Sequence, residues 1–401
     1  MTVSGQPVIG LHPLTQRISD KLAELQATGL LRQRHMMATK QHAVIDFSHN
    51  DYLGLAREPA LALALYAGAQ QHGVGSRASP LVSGYNQAHV ALEKRLCELT
   101  GHQACMLFSS GFSANSALMK TLFNSDDIVI ADKLVHASVI DGLQDSGSKI
   151  RRFLHNDISS AERLIERNPH TAVVTESVFS MDGDIAPISE LSALCQQHDC
   201  WLIVDDAHGF GLLPSSFVNA DNVDIQVVTF GKALGGQGAA ILASQEVIDY
   251  LIATCREYIY STALSPSNAQ LALAAINWQQ ANPQLLTQLK ANIALFRQLA
   301  VENKLNITSS TTAIQPIMIG DNHRVMAIAE QLTQQGFLVG AIRSPTVPKG
   351  QERLRVTLNA QHQAIDIYEL VAAVAVLIHK HDNNSMQAVL VPQAVDKSVV
   401  K

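Results

Sequence analysis

Lys232 is the residue of this sequence best suited to covalent chemistry. It follows a short apolar run, residues 225–230, and precedes a glycine-rich stretch, residues 233–238. Lysine is rarely buried unless it is paired or takes part in chemistry. Burial lowers the pKa of an amine and makes it available for Schiff-base formation. A Walker phosphate loop is excluded, because Gln226 and Ala233 stand where that motif needs glycine and serine or threonine.

Two adjacent acids and a histidine follow another apolar run. Asp205 and Asp206 come directly after residues 201–204, and His208 lies three residues beyond Asp205. Adjacent acids at the end of a buried strand are costly unless they are compensated. A turn or a helix cap would explain them structurally. We favour a functional interpretation, in which Asp205 faces a protonated pyridine nitrogen and His208 reaches the phenolic oxygen of the same ligand.

A third segment is suited to an anion. SSGFSAN (109–115) follows the apolar run 104–108 and opens a helix. The free N–H groups and positive dipole of a helix N-terminus favour phosphate. Gly111 allows close approach of the backbone, and Thr229 adds a hydroxyl from the chain that precedes Lys232. Many strand-to-helix turns share this pattern, so on its own the signal is weak.

These segments need a sheet that places strand ends side by side. Six apolar runs are short and bounded by glycine, aspartate or serine, which suits strands buried on both faces: 104–108, 127–131, 171–175, 201–204, 225–230 and 239–243. Helical patterns at 89–100 and 188–198 lie between them. The alternation predicts an α/β domain with a mostly parallel sheet. Ligands bind beyond the carboxyl ends of such strands.

The pattern changes towards the C-terminus. Predicted helices at 283–303, 324–335 and 365–379 alternate with predicted strands at 314–319, 338–342 and 353–358, which indicates a smaller α+β domain. An amphipathic helix at 14–35 and a short strand at 43–47 open the chain. We therefore divide it into an N-terminal helical segment (1–48), a large domain (49–280), a small domain (281–381) and a poorly ordered tail (382–401).

The amino-acid composition indicates which class of protein the chain forms. The 401 residues are 47% hydrophobic and 16% charged, with a net charge of −6. These values indicate a globular protein that does not bind nucleic acid. We find no signal peptide, and the apolar run 370–378 is too short to cross a membrane. The five cysteines show no metal or disulfide spacing, so we expect a cytoplasmic protein without a bound metal.

The order of the motifs resembles the α-oxoamine synthases, a fold-type-I family that depends on pyridoxal 5'-phosphate. The resemblance runs from about residue 18 to residue 379 through these segments: FSHNDYLGL (47–55), LVSGYNQAH (81–89), SGFSAN (110–115), HAS (136–138), VVTESVFSMDGD (173–184), VDDAHG (204–209), VVTFGK (227–232), YST (260–262), AIQPIMIGDN (313–322), AIRSPTVPKG (341–350) and RLRVTLNA (353–360). The last three look most like the member that uses L-alanine. The stretch ALGGQG after Lys232 departs from the family, where glycine commonly follows the lysine directly.

The resemblance implies an aspartate-aminotransferase-like α/β fold and a role for each matching residue. Lys232 would hold pyridoxal 5'-phosphate as a Schiff base, with Asp205 at the pyridine nitrogen and His208 at the ring oxygen. His136 would stack on the cofactor ring and complete the catalytic set. The other implied contacts are Ser180 at the ring oxygen, Ser110, Gly111, Phe112 and Thr229 at the phosphate, Ser261 and Thr262 from the second subunit of a homodimer, and Asn50, Arg32 and Arg355 at the substrate.

The implied reaction is the decarboxylative condensation of L-alanine with pimeloyl-ACP or pimeloyl-CoA in biotin synthesis. Three sister reactions stay open: glycine with acetyl-CoA (2-amino-3-ketobutyrate CoA ligase, or glycine C-acetyltransferase), glycine with succinyl-CoA, and serine with a long-chain acyl thioester. Outside the family, a non-catalytic metabolite sensor is one alternative. A cysteine acyl-transfer enzyme using Cys105 and His136 is another, although Cys105 lies inside an apolar strand.

Overall fold

The computed structural model describes residues 12–28, 30–32, 34 and 44–389. The strands are β1 (Ile45–Phe47), β2 (Ala104–Phe108), β3 (Ile128–Asp132), β4 (Lys149–Phe153), β5 (Ala172–Glu176), β6 (Trp201–Asp205), β7 (Ile225–Thr229), β8 (Ala239–Ala243), β9 (Ile314–Met318), β10 (Phe337–Ile342) and β11 (Arg353–Thr357). The α-helices are α1 (Pro13–Ala27), α2 (Pro59–His72), α3 (Gln87–Thr100), α4 (Gly111–Leu122), α5 (Ala137–Ser146), α6 (Ile158–Arg167), α7 (Ile188–Gln197), α8 (Gln245–Thr254), α9 (Arg256–Ile259), α10 (Pro266–Ala281), α11 (Gln284–Glu302), α12 (Asn322–Gln334) and α13 (Ala364–Val389).

A seven-stranded sheet forms the centre of the large domain. Its strand order is β2-β8-β7-β6-β5-β3-β4, and only β8 runs antiparallel to its neighbours. Strands β5 and β8 are buried along their whole length, because helices cover both faces of the sheet. The predicted α/β class with a mostly parallel sheet is confirmed.

Strand β4 was not predicted from the sequence. It lies at the edge of the large sheet and reads Lys-Ile-Arg-Arg-Phe, with its three basic side chains exposed. Edge strands commonly carry charged residues, which discourage pairing with another chain. A search for apolar runs cannot detect a strand of this kind.

A second, four-stranded sheet lies in the C-terminal part of the chain. Its order is β1-β10-β11-β9, with β1 parallel to β10 and the other pairs antiparallel. The N-terminal strand β1 thus belongs to the same sheet as the predicted strands of the small domain. Helices α11, α12 and α13 pack together beside this sheet.

Two predicted helix ends differ from the structure. Helix α1 ends at Ala27, eight residues before the predicted end at residue 35, and the hydroxyl of Thr28 donates to the carbonyl of Glu24 at 2.8 Å. Helix α13 continues to Val389, so the first residues of the predicted tail are helical. Residues 390–401 lie outside the described part of the chain. Among the described residues, no helix combines the length and the apolar character needed to cross a bilayer.

Candidate active site

A cavity of about 350 Å³ lies at the carboxyl ends of the strands of the large sheet. This volume falls at the lower end of the range for small-molecule sites. Nine residues predicted for the site line it: Asn50, Ser110, Gly111, Phe112, His136, Asp205, His208, Thr229 and Lys232. The structure therefore brings together residues that are separated by up to 182 positions in the sequence, from Asn50 to Lys232.

The turn that carries Lys232 is fixed by its own backbone. Lys232 comes three residues after the end of β7, and its carbonyl accepts a hydrogen bond from the N–H of Gly235 at 2.9 Å. Gly235 has a φ of +64° and contacts the backbone of Ala56, so a side chain here would be both strained and blocked. The glycine-rich stretch thus holds Lys232 in place at the cavity.

The environment of Lys232 favours its neutral amine. Burial is the largest effect and lowers the pKa of Lys232 to about 8, while the charges of Asp205 and Glu176 raise this pKa and Arg355 lowers it. A lysine with a pKa near 8 keeps part of its amine unprotonated at neutral pH. This is the form that attacks a carbonyl carbon.

Asp205 is the last residue of β6 and lies almost fully buried at the cavity. Its carboxylate accepts hydrogen bonds from Asn115 Nδ2 at 2.6 Å and from the N–H of Ala207 at 3.0 Å. Glu176 ends the neighbouring strand β5 in register with Asp205 and also lines the cavity. Burial raises the pKa of Glu176 well above its usual value, and the charge of Asp205 acts in the same direction.

His208 also lines the cavity, and it bonds to Tyr52, a residue that was not predicted from the sequence. Its Nδ1 atom is 2.5 Å from the hydroxyl of Tyr52. Burial lowers the pKa of His208 well below its usual value, and the positive charges of Lys232 and Arg355 contribute. Burial also raises the pKa of Tyr52 to about 12, so that its hydroxyl keeps its proton. His208 is therefore a neutral imidazole whose Nδ1 accepts from Tyr52.

The part of the cavity formed by the N-terminus of α4 is suited to a phosphate. Ser110 caps α4 by accepting a hydrogen bond from the N–H of Ser113 at 3.2 Å, which leaves the first N–H groups of the helix for a ligand. A Cβ atom on Gly111 would come within 2.5 Å of Thr229 Cγ2, so the backbone here can approach closely only as glycine. Together with the buried carboxylate of Asp205 and the amine of Lys232, this end fits pyridoxal phosphate.

Arg355 reaches the edge of the cavity from the small domain. It lies on β11, and its Nε donates to the carbonyl of Ser180 at 2.7 Å while one terminal nitrogen donates to Asn50 Oδ1 at 3.1 Å. A further bond to the hydroxyl of Thr357 at 2.8 Å fixes the guanidinium. The arrangement holds a cation beside Asn50, where the carboxylate of a bound amino acid could meet it.

Four other predicted residues lie away from this cavity within one chain. Ser261 and Thr262 border a smaller cavity of about 110 Å³ together with Tyr258. Ser180 contributes its carbonyl to Arg355 but does not line the main cavity. Arg32 lies 3.5 Å from the hydroxyl of Thr346.

Three residues of the site were not singled out from the sequence. Tyr52, Asn115 and Glu176 lie within motifs that carry the family resemblance, yet nothing in their own types or spacing distinguishes them.

The structure argues against the alternative of a cysteine acyl-transfer enzyme that uses Cys105. Cys105 is buried inside β2, and burial raises its pKa well above the usual value, so that it lacks the thiolate needed for acyl transfer.

Comparison with known proteins identifies the family. The sequence profile of the class I and II aminotransferases matches residues 42–374. The 8-amino-7-oxononanoate synthase of Enterobacter sp. (strain 638) is 43% identical over 376 residues, which cover 89% of this chain and 98% of that protein. A solved 8-amino-7-oxononanoate synthase from Francisella tularensis is 29% identical with a TM-score of 0.75, over 85% of this chain and 99% of the other.

The fold also matches a more distant enzyme. A serine palmitoyltransferase from S. paucimobilis, solved with bound PLP, superposes with a TM-score of 0.85 at 23% identity, over 93% of this chain and 100% of the other. Pyridoxal phosphate is the cofactor of this class of enzymes, so the predicted cofactor and the fold-type-I architecture are confirmed. The chain belongs to the class I and II aminotransferase family and, within it, to the pyridoxal-phosphate-dependent acyltransferases of the 8-amino-7-oxononanoate synthase family.

Proposed function

We propose that this protein catalyses the decarboxylative condensation of L-alanine with a pimeloyl thioester, which yields 8-amino-7-oxononanoate, CO2 and a free thiol in biotin synthesis. The observation that carries the proposal is the cavity in which a partly neutral Lys232 faces Asp205, with Arg355 at its edge. These groups supply an amine, a buried carboxylate and an anchor for an amino acid. Relatives that share more than 40% of their residues with this chain bear the name of this activity.

The residues around the cavity would hold the cofactor at both ends. When bound, pyridoxal phosphate supplies an electron sink for the charge that develops at the α-carbon of the amino acid. The Asp205 carboxylate would face the pyridine nitrogen and keep a proton on it. Neutral His208 would face the ring oxygen, and the N-terminus of α4 would receive the phosphate.

Lys232 and Arg355 would act on the substrate. Arg355 binds the carboxylate of L-alanine, and its three hydrogen bonds to the protein keep the guanidinium from turning. The α-C–H bond then points towards the amine of Lys232, which removes the proton and later returns one. Because its pKa lies at about 8, this amine can both accept and release a proton near neutral pH.

We also propose that the active protein is a cytoplasmic homodimer in which Ser261 and Thr262 serve the site of the other subunit. Several large apolar side chains are exposed in the single chain: Leu63, Tyr66, Val74, Leu81, Val82, Tyr85, Phe112 and Tyr260. Of these, Phe112 lines the main cavity. Exposed apolar surface can mark a protein interface. All five cysteines are free, as in a reducing compartment. Either CoA or an acyl carrier protein fits the proposal as the acyl carrier.

The test is a thiol-release assay on the purified protein loaded with pyridoxal phosphate. We expect release only when L-alanine is combined with pimeloyl-CoA or pimeloyl-ACP, and loss of this activity in Lys232→Ala. Lys94→Ala is the matched control, because Lys94 is an exposed lysine on α3. Release with glycine and acetyl-CoA, glycine and succinyl-CoA, or serine and a long-chain thioester, but not with alanine, would move the function to a sister synthase.

A further inference from the structure

His136 caps α5 and Asp205 ends β6, yet a chain of hydrogen bonds joins them. Asn115 Nδ2 donates to Asp205 Oδ2 at 2.6 Å and to Ser138 Oγ at 3.1 Å. Ser138 Oγ in turn lies 2.7 Å from His136 Nδ1. Asn115 and Ser138 are 2% and 0% exposed. We call this connected set, Asp205–Asn115–Ser138–His136, the relay.

The donor and the acceptor of each hydrogen bond in the relay can be assigned from two groups whose roles are fixed, the Asp205 carboxylate and the Ser138 N–H. A carboxylate accepts hydrogen bonds and donates none, so Asn115 must turn its NH2 group towards Asp205. The second N–H of that group points to Ser138 Oγ, which therefore accepts and keeps its own proton for another partner. The backbone N–H of Ser138 lies 3.3 Å from His136 Nδ1 and can only donate. His136 Nδ1 is consequently an acceptor that carries no proton.

The packing of two helices brings the relay together. His136 caps α5, and Asn115 lies on α4, which packs closely against it. A Cβ atom on Gly142 of α5 would come within 2.8 Å of the carbonyl of Ser116, so the close approach depends on this glycine. The hydroxyl of Ser116 also donates to the carbonyl of Ser138 at 3.1 Å, outside the relay.

We propose that the relay fixes His136 as a neutral imidazole with its proton on Nε2, so that this histidine presents an N–H donor at the cavity and is not the base of the reaction. Asn115 and Ser138 are then positioning residues for His136. The inference deepens the proposed function and rests on it for the placement of His136 and Asp205 beside the cofactor. Burial lowers the pKa of His136, with Lys232 acting in the same direction and Asp205 and Asp141 opposing it.

The consequence for the reaction is that Lys232 and His136 have different roles in proton transfer. Lys232 holds the exchangeable proton near neutral pH, whereas His136 Nε2–H can only donate to an acceptor oxygen of the substrate or the cofactor. Protonation of Nδ1 would break the bond that it accepts from the Ser138 N–H and would require the Ser138 hydroxyl to accept from Nδ1 instead of donating to it. The relay therefore keeps the two nitrogen bases of the cavity in different roles.

The experiment is nitrogen NMR of the protein loaded with pyridoxal phosphate and labelled with [15N]histidine, in which His136→Asn identifies the signal. We expect a protonated Nε2, an unprotonated Nδ1 and a pKa below 6.5 for His136. Ser138→Ala should raise this pKa by about 0.5 to 1 unit, the equivalent of one lost hydrogen bond. Ser138→Thr, which keeps the hydroxyl, should restore it, and Ser116→Ala should leave it unchanged.

Two results would overturn the proposal. One is a proton on Nδ1 of the unaltered protein, which decides the matter even if no variant folds. The other is an unchanged pKa of His136 in Ser138→Ala. Asn115→Leu should shift the pKa in the same direction as Ser138→Ala, and no shift would remove Asn115 from the relay. Because these readouts are independent of turnover, a lack of alanine-dependent thiol release would refute the proposed function and leave the relay standing.

Discussion

Burial is the main cause of the low pKa of Lys232, and neighbours of opposite charge shift this pKa in opposite directions. The negative charges of Asp205 and Glu176 raise the pKa, whereas the positive charge of Arg355 lowers it. Asp205 also has a separate proposed role at the cofactor, and Arg355 has one at the substrate. A substitution made to test such a role must therefore change the protonation of Lys232 as well.

This coupling gives a prediction for the pH dependence of cofactor uptake. The neutral amine of Lys232 is the reactive form, so the rate at which the cofactor-free protein takes up pyridoxal phosphate should rise with pH and level off above a midpoint of about 8. Asp205→Asn removes a charge that raises the pKa and should move the midpoint down. Arg355→Gln removes a charge that lowers it and should move the midpoint up. The measurement is the uptake rate, followed by absorbance, between pH 6 and 10.

Opposite shifts in the two variants are the informative result. If both midpoints stayed at the value of the unaltered protein, the charges of Asp205 and Arg355 would not act on Lys232. Lys94→Ala, at an exposed site on α3, serves as the control and should leave the midpoint in place.

At the residue scale, the sequence predicts groups at strand ends better than it predicts their partners. Lys232, Asp205 and His208 follow apolar runs, and the parallel sheet brings such ends to one edge. The contact of His208 with Tyr52 joins residues 156 positions apart. Nothing in the local sequence indicates which distant side chain will complete a hydrogen bond, so the relay also stays invisible without the structure.

At the scale of elements, the loop formed by residues 179–184 contacts strand β11 of the four-stranded sheet. From β11 of the small domain, Arg355 donates to the carbonyl of Ser180 and Arg353 forms an ion pair with Asp182. The two arginines alternate with Leu354, so they lie on the same face of the strand. The loop thereby determines where Arg355 meets the cavity.

The large domain holds the same loop through a histidine. His155 Nδ1 lies 3.0 Å from Asp132, and its Nε2 lies 2.6 Å from Asp184 of the loop. Burial lowers the pKa of His155, but the hydrogen bonds and charges of the two carboxylates outweigh it and raise the pKa to about 10. His155 is thus a cation at neutral pH with a carboxylate on each side.

We predict that His155→Asn destabilises the protein in a pH-dependent way. Because the folded pKa lies above the unfolded value of about 6.5, the contribution of His155 is complete below pH 6.5 and is lost as the pH rises to about 10. The variant should lose about 2 kcal/mol at pH 6, and the difference from the unaltered protein should shrink by pH 10. Thermal melting at pH 6, 8 and 10 measures this change.

An exposed histidine pair provides the matched control. His170 lies 3.1 Å from Asp199, but both side chains are largely in solvent. Such surface pairs contribute little to stability. His170→Asn should therefore leave the melting temperature nearly unchanged at every pH, and an equal loss in both variants would contradict the special role of His155.

Strands that are buried on both faces were predicted from the sequence, whereas an exposed strand was not. The runs that became β2 and β8 match the structure at both ends, because strands covered on both faces are apolar throughout. The exposed edge strand β4 was missed for the opposite reason. The pairing of β1 with β10 could not be predicted either. It joins residues nearly 300 positions apart, and nothing in the sequence indicates which residues of the two strands pair.

At the scale of the whole molecule, a single chain leaves its site incomplete if the homodimer is correct. Ser261 and Thr262 line a small cavity that shares Ser109 with the main cavity, and neither of them lines the main cavity together with Lys232 of their own chain. The segment that follows them is tied to the chain near Pro80, since the N–H of Ala263 donates to the carbonyl of Ala78 at 3.0 Å. Leu81 and Val82, which follow Pro80, and Tyr260, which precedes Ser261, are exposed. These residues are therefore available to a symmetry-related subunit.

Mixed dimers give the decisive test of this arrangement. We predict that Lys232→Ala and the double variant Ser261→Ala/Thr262→Ala, each inactive or strongly impaired alone, regain activity when they are unfolded together and refolded. In a mixed dimer, one site receives both lesions and the other receives none, because each site combines Lys232 of one chain with Ser261 and Thr262 of the other. Random pairing should restore about a quarter of the unaltered thiol-release rate. If these residues served their own chain, every site in the mixture would carry one lesion and mixing would restore nothing.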